Sequence, residues 1–258
     1  MIFILGLFLL SVSAVTAEWQ CSIIPGKLKQ IDAGSGQVYG VNDNGDVFQM
    51  VEKGWQQLPG QLLHVSVGPA GLWGVSSSNI VLKFQDNKWK SVTGLLKQVD
   101  AGGDKFLAGV SSQDKVVCLS PSCTDSKSSI VTFTSLDGAL KYYSCGPFGC
   151  WGVNNVNDIF FRNDVTPGKC DGSKWQQVEG KLIMLEVSTD GSVYGIHPSG
   201  RVYTREGISA KTPTGSVWVI VDFCATFKHV TYDAGSLWLL SQNGDIYKCV
   251  DENENTST

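Results

Sequence analysis

The chain has 258 residues, of which 42% are hydrophobic and only 17% charged, with a net charge of −4; this argues against a nucleic-acid-binding surface or a basic patch for membranes. Its 29 glycines and 8 tryptophans, frequent short turns and lack of any sustained 3.6-residue period point to an all-β protein.

The opening MIFILGLFLLSVSAVTA is an apolar run ending in small residues, with Val15 and Ala17 at the small-x-small positions of a cleavage site. It reads as a secretory signal peptide spanning 1–17 and cut before Glu18; the short apolar part, with no basic stop-transfer residues after it, argues against a membrane anchor. The mature chain is then 258 − 17 = 241 residues, enough for one large domain with its own core.

From Trp19 onward the chain repeats itself. The copies lie near 19–54, 55–88, 89–130, 131–174, 175–216 and 217–250. The fifth is the clearest: strand-like alternation covers Trp175 to Val178, Leu182 to Val187, Ser192 to Ile196 and Arg201 to Arg205, with Gly180, Gly191 and Gly200 as separators. In five copies a glycine ends the first run (Gly26, Gly60, Gly94, Gly138, Gly180), and a second glycine follows in an aromatic-Gly-Val step or its variant (Gly40, Gly74, Gly109, Gly152, Gly195). The spacing between them is always fourteen or fifteen residues. Three copies depart from the pattern. The third has Leu107-Ala108 in place of the aromatic and an insertion through Cys118 and Cys123, the fourth lacks its leading tryptophan, and the sixth replaces Gly-Val with Leu239-Leu240.

Six units of four strand-like runs predict a six-bladed β-propeller spanning 18–250. A β-trefoil is the rival, but it has three such units, and two trefoils would break the spacing. The second glycine suits a crowded position and the aromatic before it a wedge between sheets. A ring needs closing, because open sheet edges are exposed. If each Trp-led run is the outer strand of the preceding blade, Trp19 to Ile23 pairs with Gly244 to Lys248 of the last. That pairing sets Cys21 beside Cys249, and a bridge there stabilises by roughly 4 to 5 kcal/mol on the loop-entropy model.

Eight cysteines in a secreted chain read as four disulfides rather than a zinc site, since there is no Cys-x-x-Cys. Cys118 and Cys123 bracket a Ser-Pro-Ser loop and are expected to close on each other. Among Cys145, Cys150, Cys170 and Cys224 three pairings are open. The tail 251–258 reads as disordered, with Asn255-Thr256-Ser257 as a glycosylation triplet.

The pattern W-x-x-(V/L/I)-x-G, L-x-x-V, (W/Y)-G-V, then an Asn- or Ser-containing turn and (V/I)-(Y/F), legible in WQQLPG…LWGV, WQQVEG…VYGI and PGKLKQIDAG…VYGVNDNGDVF, resembles the tectonin repeat. With a signal peptide and about eight cysteines, the whole mature chain resembles the fish-egg lectin family. The resemblance implies a secreted, extracellular protein binding N-acetylglucosamine-type sugars or lipopolysaccharide on microbial surfaces, or egg-surface glycans, multivalently and in innate-immune recognition or agglutination. Because the six copies are not equivalent, fewer than six sites are expected.

Candidate sugar-binding groups lie in the turns before each last strand: Asp43, Asn44 and Asp46; Asn154, Asn155 and Asn157; Asn243 and Asp245. The plainer account is that Asn-Gly and Asp-Gly turns suit hairpin geometry. No cofactor is implied, although such acidic turns are chemically suited to calcium. Trp73, Trp151 and Trp238 read as core residues. The three histidines, His64, His197 and His229, fall in different repeats outside any GxSxG or HExxH signature and read as structural. Asp32, Asp100, Glu186 and Asp233 recur near corresponding positions, which fits architecture or repeated weak sites rather than the single asymmetric carboxylate pair of a glycosidase. The expectation is a lectin and not an enzyme; the alternative is a protein-interaction propeller without sugar specificity.

Overall fold

The computed structural model describes residues 19–252. The expected signal peptide, the end of the tail and Asn255 lie outside them. The described chain forms six separate four-stranded antiparallel sheets. Blade 1 holds strands Gln30–Gly34, Gln37–Val41, Asp46–Val51 and Gly54–Gln61. Blade 2 covers 64–95, blade 3 98–139, blade 4 142–181 and blade 5 184–221. Blade 6 takes Phe227–Asp233, Ser236–Ser241 and Asp245–Asp251 from one end of the chain and Trp19–Lys27 from the other. The inner strands touch in sequence, and blade 6 returns to blade 1, so the ring is closed.

The sequence repeat and the blade are one strand out of phase: each Trp-led run is the outer strand of the blade before it. Closure follows, with Trp19 opposite Asp251 and Cys21 opposite Cys249.

Two sets of glycines set the spacing of the repeat. A Cβ on Gly40, Gly74, Gly152 or Gly195 would come within 2.4–2.5 Å of the Cδ1 of Leu28, Leu62, Leu140 or Leu182. The leucine two residues past the first glycine therefore seats on the second glycine, which is why the two are held fourteen or fifteen residues apart. The first glycines adopt φ of 122° at Gly26, 90° at Gly60 and 120° at Gly180, a region open to glycine. There they accept the ring of the next outer strand: Trp55 on Gly26, Trp89 on Gly60, Trp218 on Gly180. In the fourth copy Phe133 fills this place, its ring 2.7 Å from a Cβ built on Gly94. In the sixth copy Phe227 replaces the leucine, and a register shift between Phe227 and His229 accommodates the missing glycine.

Trp73, Trp151 and Trp238 are core residues, exposed by 1%, 2% and 3%. Apolar clusters fill the spaces between neighbouring sheets; in one, Leu62, Val65 and Val67 of blade 2 pack on Tyr39, Val41 and Val47 of blade 1.

The disulfides differ from expectation in one pairing and in number, three where four were expected. Cys21 bonds Cys249 and Cys145 bonds Cys150, directly opposite it across a hairpin. Cys118, however, bonds Cys170 and not Cys123. The reason is local: Pro121–Thr124 is a helical turn that carries Cys123 toward the apolar cluster between blades 2 and 3. The buried Cys118 instead meets Cys170, which folds in from the long hairpin of blade 4. Cys123 and the exposed Cys224 are free thiols, so there are three bridges among the described residues.

Candidate functional site

The predicted turn residues lie on one face of the ring, in the loops between the second and third strands of their blades or, for Asp46 and Asp245, at the start of the third strand, and most serve the turns themselves. Asn42 Oδ1 accepts the N–H groups of Asn44 at 3.0 Å and Asp46 at 2.8 Å, while its amide donates to Asp46 Oδ2 at 3.0 Å. Asn154 Oδ1 accepts from Val156 and Asp158 in the same way, and Ser241 Oγ does so from Asp245 at 3.0 Å. Asp245 also pairs with Lys27 at 2.5 Å, as Asp158 does with Lys181 at 2.6 Å. Asn155 donates to Asp114 and Asn157 accepts from Lys141, links that cross from blade 4 to blade 3 and to the base of its own blade. Asp43 and Asn44 are exposed beside a polar recess of about 140 Å³ shared with Lys29, Gln61 and Ser77. Asn243 is exposed at its turn tip.

The larger concavities lie beside these turns, in the clefts between outer strands. Between blades 6 and 1 a cleft of about 450 Å³ is walled by Phe48, Trp55 and Ile24, with Lys27 and Lys53 at its edge. Between blades 4 and 5 one of about 320 Å³ is walled by Tyr203, Trp218 and Ile159, with Lys181 and His197 alongside. The equivalent cleft between blades 3 and 4, bounded by Phe160, Trp175 and Asn154, is only about 110 Å³. Ligand pockets run from about 300 Å³ upward, so the first two are large enough and the third is not. The glycine-on-indole contact creates each cleft: with no side chain on Gly26 or Gly180, the outer strands part beside the ring. Trp175 and Trp89 hold the contact with N–H bonds of 2.8 Å to Asp137 O and Pro59 O. The indole N–H groups of Trp55 and Trp218 are buried without a partner. Sequence reasoning identified these tryptophans as repeat markers but not as cleft walls, because the two walls come from different repeats.

The recurring acidic residues line the central channel. Asp32, Ser66, Asp100, Ser144, Glu186 and Thr231 take corresponding places on the six inner strands, and all are buried. At five of the six joints the side chain accepts an N–H from the next blade: Val67 to Asp32, Ala101 to Ser66, Cys145 to Asp100, Val187 to Ser144 and Ala33 to Thr231, all at 2.7–3.0 Å. Ser144 Oγ also lies 2.9 Å from Asp100 Oδ2 and 2.8 Å from Glu186 Oε2. A hydroxyl has one proton, so one of those two contacts needs a proton held by a carboxyl. Burial accordingly raises Asp32 to about 7 and Asp100 to about 8, and pushes Glu186 well above the carboxylate range. Above this belt Tyr142 reaches across the channel, donating to Glu186 and lying 3.4 Å from His64 Nε2 and 3.5 Å from His229 Nε2. Asp233 accepts from Gly36 N–H at 2.6 Å and from Thr189. The belt is joinery between blades. Among the described residues no group of three or more His, Cys, Asp or Glu is placed to hold a metal ion, and no helix is long and apolar enough to cross a membrane.

Six out-of-phase blades, with a glycine-indole contact at Gly26, Gly60, Gly138 and Gly180 and a phenylalanine in its place at Gly94, define a propeller of tectonin units. The Tectonin domain model matches residues 27–242, and fish-egg lectin of Cyprinus carpio is 52% identical over 233 residues, covering 89% of this chain and 98% of that protein. The chain belongs to the fish-egg lectin family of tectonin-domain proteins. Tectonin-1 of Physarum polycephalum is 34% identical over 53 residues, 20% of this chain and 21% of that one. Among solved structures, virginiamycin B lyase from Staphylococcus aureus superposes with a TM-score of 0.56 at 12% identity, covering 83% of this chain and 77% of the other; at that identity the likeness is one of fold alone.

Proposed function

We propose that this protein is a secreted lectin without enzymatic activity, binding N-acetylglucosamine-type sugars in the clefts walled by Trp55 and Trp218. The observation that carries the reading is the pair of clefts of about 450 and 320 Å³, each joining an aromatic wall to a polar edge. A pyranose has an apolar C–H face and an equatorial rim of hydroxyls. The rings of Phe48 and Trp55, or Tyr203 and Trp218, suit the first; Lys53, Lys181 and His197 suit the second. The kinship to a protein named fish-egg lectin supports a carbohydrate ligand, and three disulfides support an oxidising, extracellular compartment. Two sites on one rigid ring favour polymeric targets such as lipopolysaccharide or egg-surface glycans, through avidity and agglutination.

Isothermal titration with N-acetylglucosamine tests this. Two equivalents are expected per chain, falling to one in Trp218→Ala or Trp55→Ala, with the fold checked by near-ultraviolet circular dichroism. Unchanged stoichiometry in both variants refutes the assignment of the clefts. Absence of binding to any glycan on an array, with a partner protein captured regardless of added sugar, establishes the interaction-propeller alternative.

A further inference from the structure

One mouth of the central channel carries a ring of lysines. Three residues before each belt position, and directly ahead of Gln30, His64, Gln98, Tyr142, Met184 and His229, stand Lys29, Leu63, Lys97, Lys141, Ile183 and Lys228 in blades 1 to 6. Five of these hold the same backbone geometry: Lys29 donates to Val41 O, Leu63 to Val75 O, Lys97 to Val110 O, Lys141 to Val153 O and Ile183 to Ile196 O, all at 2.7–2.8 Å. Lys228 occupies the sixth place, between Phe227 and His229 on its inner strand. Four cations thus stand around one opening in a chain whose net charge is −4.

Opposing charge is sparse. Asp114 pairs with Lys97, Lys141 rests on the neutral amide of Asn157, and Asp43 lies in the recess beside Lys29. Lys29 and Lys228 have no ion-pair partner among the described residues. Beneath it His64, His229 and the Tyr142 hydroxyl meet, and Glu186 accepts a hydrogen bond from that hydroxyl. Both histidines lie in a positive field. Burial, then Lys29, lowers His64 to about 3; burial, then His64 and Lys228, lowers His229 to about 3. Burial, then Lys97, also lowers Lys141, so these two lysines repel one another beside a low-dielectric opening that concentrates their field.

We propose that this mouth is an anion site for a phosphate-bearing ligand, with Lys29, Lys97, Lys141 and Lys228 converging on one multiply charged group. A lysine ammonium is a point charge on a flexible stem, and several of them close on phosphate oxygens without needing a fixed fork. The leucine and isoleucine between them leave room for an apolar portion of the ligand. The site is separate from the inter-blade clefts and does not depend on them.

The test is isothermal titration of the full mature chain at low salt with inorganic pyrophosphate, glucose 6-phosphate and glucose. Pyrophosphate is expected to bind once per chain and to weaken as sodium chloride is added. Lys29→Gln combined with Lys228→Gln is expected to weaken it by about tenfold or more, with N-acetylglucosamine binding and the thermal midpoint unchanged. Binding of glucose 6-phosphate but not glucose supports a phosphorylated sugar as the ligand; binding of pyrophosphate alone supports free phosphate. No binding at millimolar pyrophosphate, or equal affinity in the double variant, overturns the proposal. Lys29→Gln alone, at an exposed position, serves if the double variant does not fold.

Discussion

The three disulfides form a loop-length series within one molecule, and removing them one pair at a time has a computable outcome. Cys21–Cys249 closes 228 residues, Cys118–Cys170 closes 52 and Cys145–Cys150 closes 5. Constraint of the unfolded chain then assigns about 5, 4 and 2 kcal/mol to the three bridges. Replacing both cysteines of a pair by alanine, so that no hydroxyl is buried at the fully buried Cys118, Cys145, Cys150 or Cys249, isolates each contribution. Guanidinium unfolding of the three double variants is expected to rank them in that order, with ring closure costing most. The strand pairing from Trp19↔Asp251 to Lys27↔Asp245 survives without the bridge, so the variant is expected to fold yet to be nicked near residue 20 by protease faster than the parent. If losing the ring-closing bridge costs no more than losing the five-residue one, the reasoning that it acts through chain entropy is wrong.

Two further outcomes follow from packing and protonation. Gly152→Ala places a Cβ 2.4 Å from Leu140 Cδ1 and is expected to cost about 1–3 kcal/mol of overpacking in denaturant unfolding. Gly168→Ala, where a Cβ meets nothing within 4 Å, is expected to be neutral; equal effects at the two positions contradict the seating of leucine on glycine. The channel belt sets a pH dependence: Asp32 and Asp100 sit at about 7 and 8 in the fold, raised chiefly by burial, against about 4 in an unfolded chain. The folded protein holds protons that the unfolded chain has released, so the belt's contribution to stability is full below about pH 4 and declines as pH rises toward 8. Buried His64 and His229, lowered to about 3, act in the opposite sense below about pH 6.5, so the window that isolates the belt is about pH 6.5 to 8. Thermal midpoints are expected to fall across it, less so in Asp100→Asn, and a rising midpoint there refutes the shared-proton belt.

The ring was legible because its spacing is a packing constraint. Gly26 and Gly40 are fourteen residues apart because Leu28 must land on Gly40, and such a constraint leaves its mark in every repeat that keeps it. Closure was legible for the same reason, since a one-strand offset leaves Trp19–Lys27 a single free edge to join. The bridge from Cys118 to Cys170 was not, because it depends on a long hairpin in blade 4 folding over blade 3, and no local pattern reports where an irregular hairpin goes. The turn residues were located, but Asn42, Asn154 and Ser241 were not separable by type from ligand-facing neighbours; only hydrogen-bond directions distinguish a turn builder from a free polar group. Each cleft is completed by a tryptophan from the following repeat, and the lysine mouth draws one residue from each of four, so reading within a repeat passes over them.

The out-of-phase seam also bears on how the chain is made. The outer strand of blade 6 is the first of the ring's strands to leave the ribosome and the last to find its place, since its partner Asp245–Asp251 is synthesised more than two hundred residues later. At about 5–20 residues per second, that strand waits roughly 10–45 s with an unpaired edge and a free Cys21. Four other bridge-forming cysteines and the two free ones emerge during the wait, ahead of Cys249. Biosynthesis of this protein is therefore a problem of keeping one thiol from the wrong partner until the third strand of blade 6 has been translated.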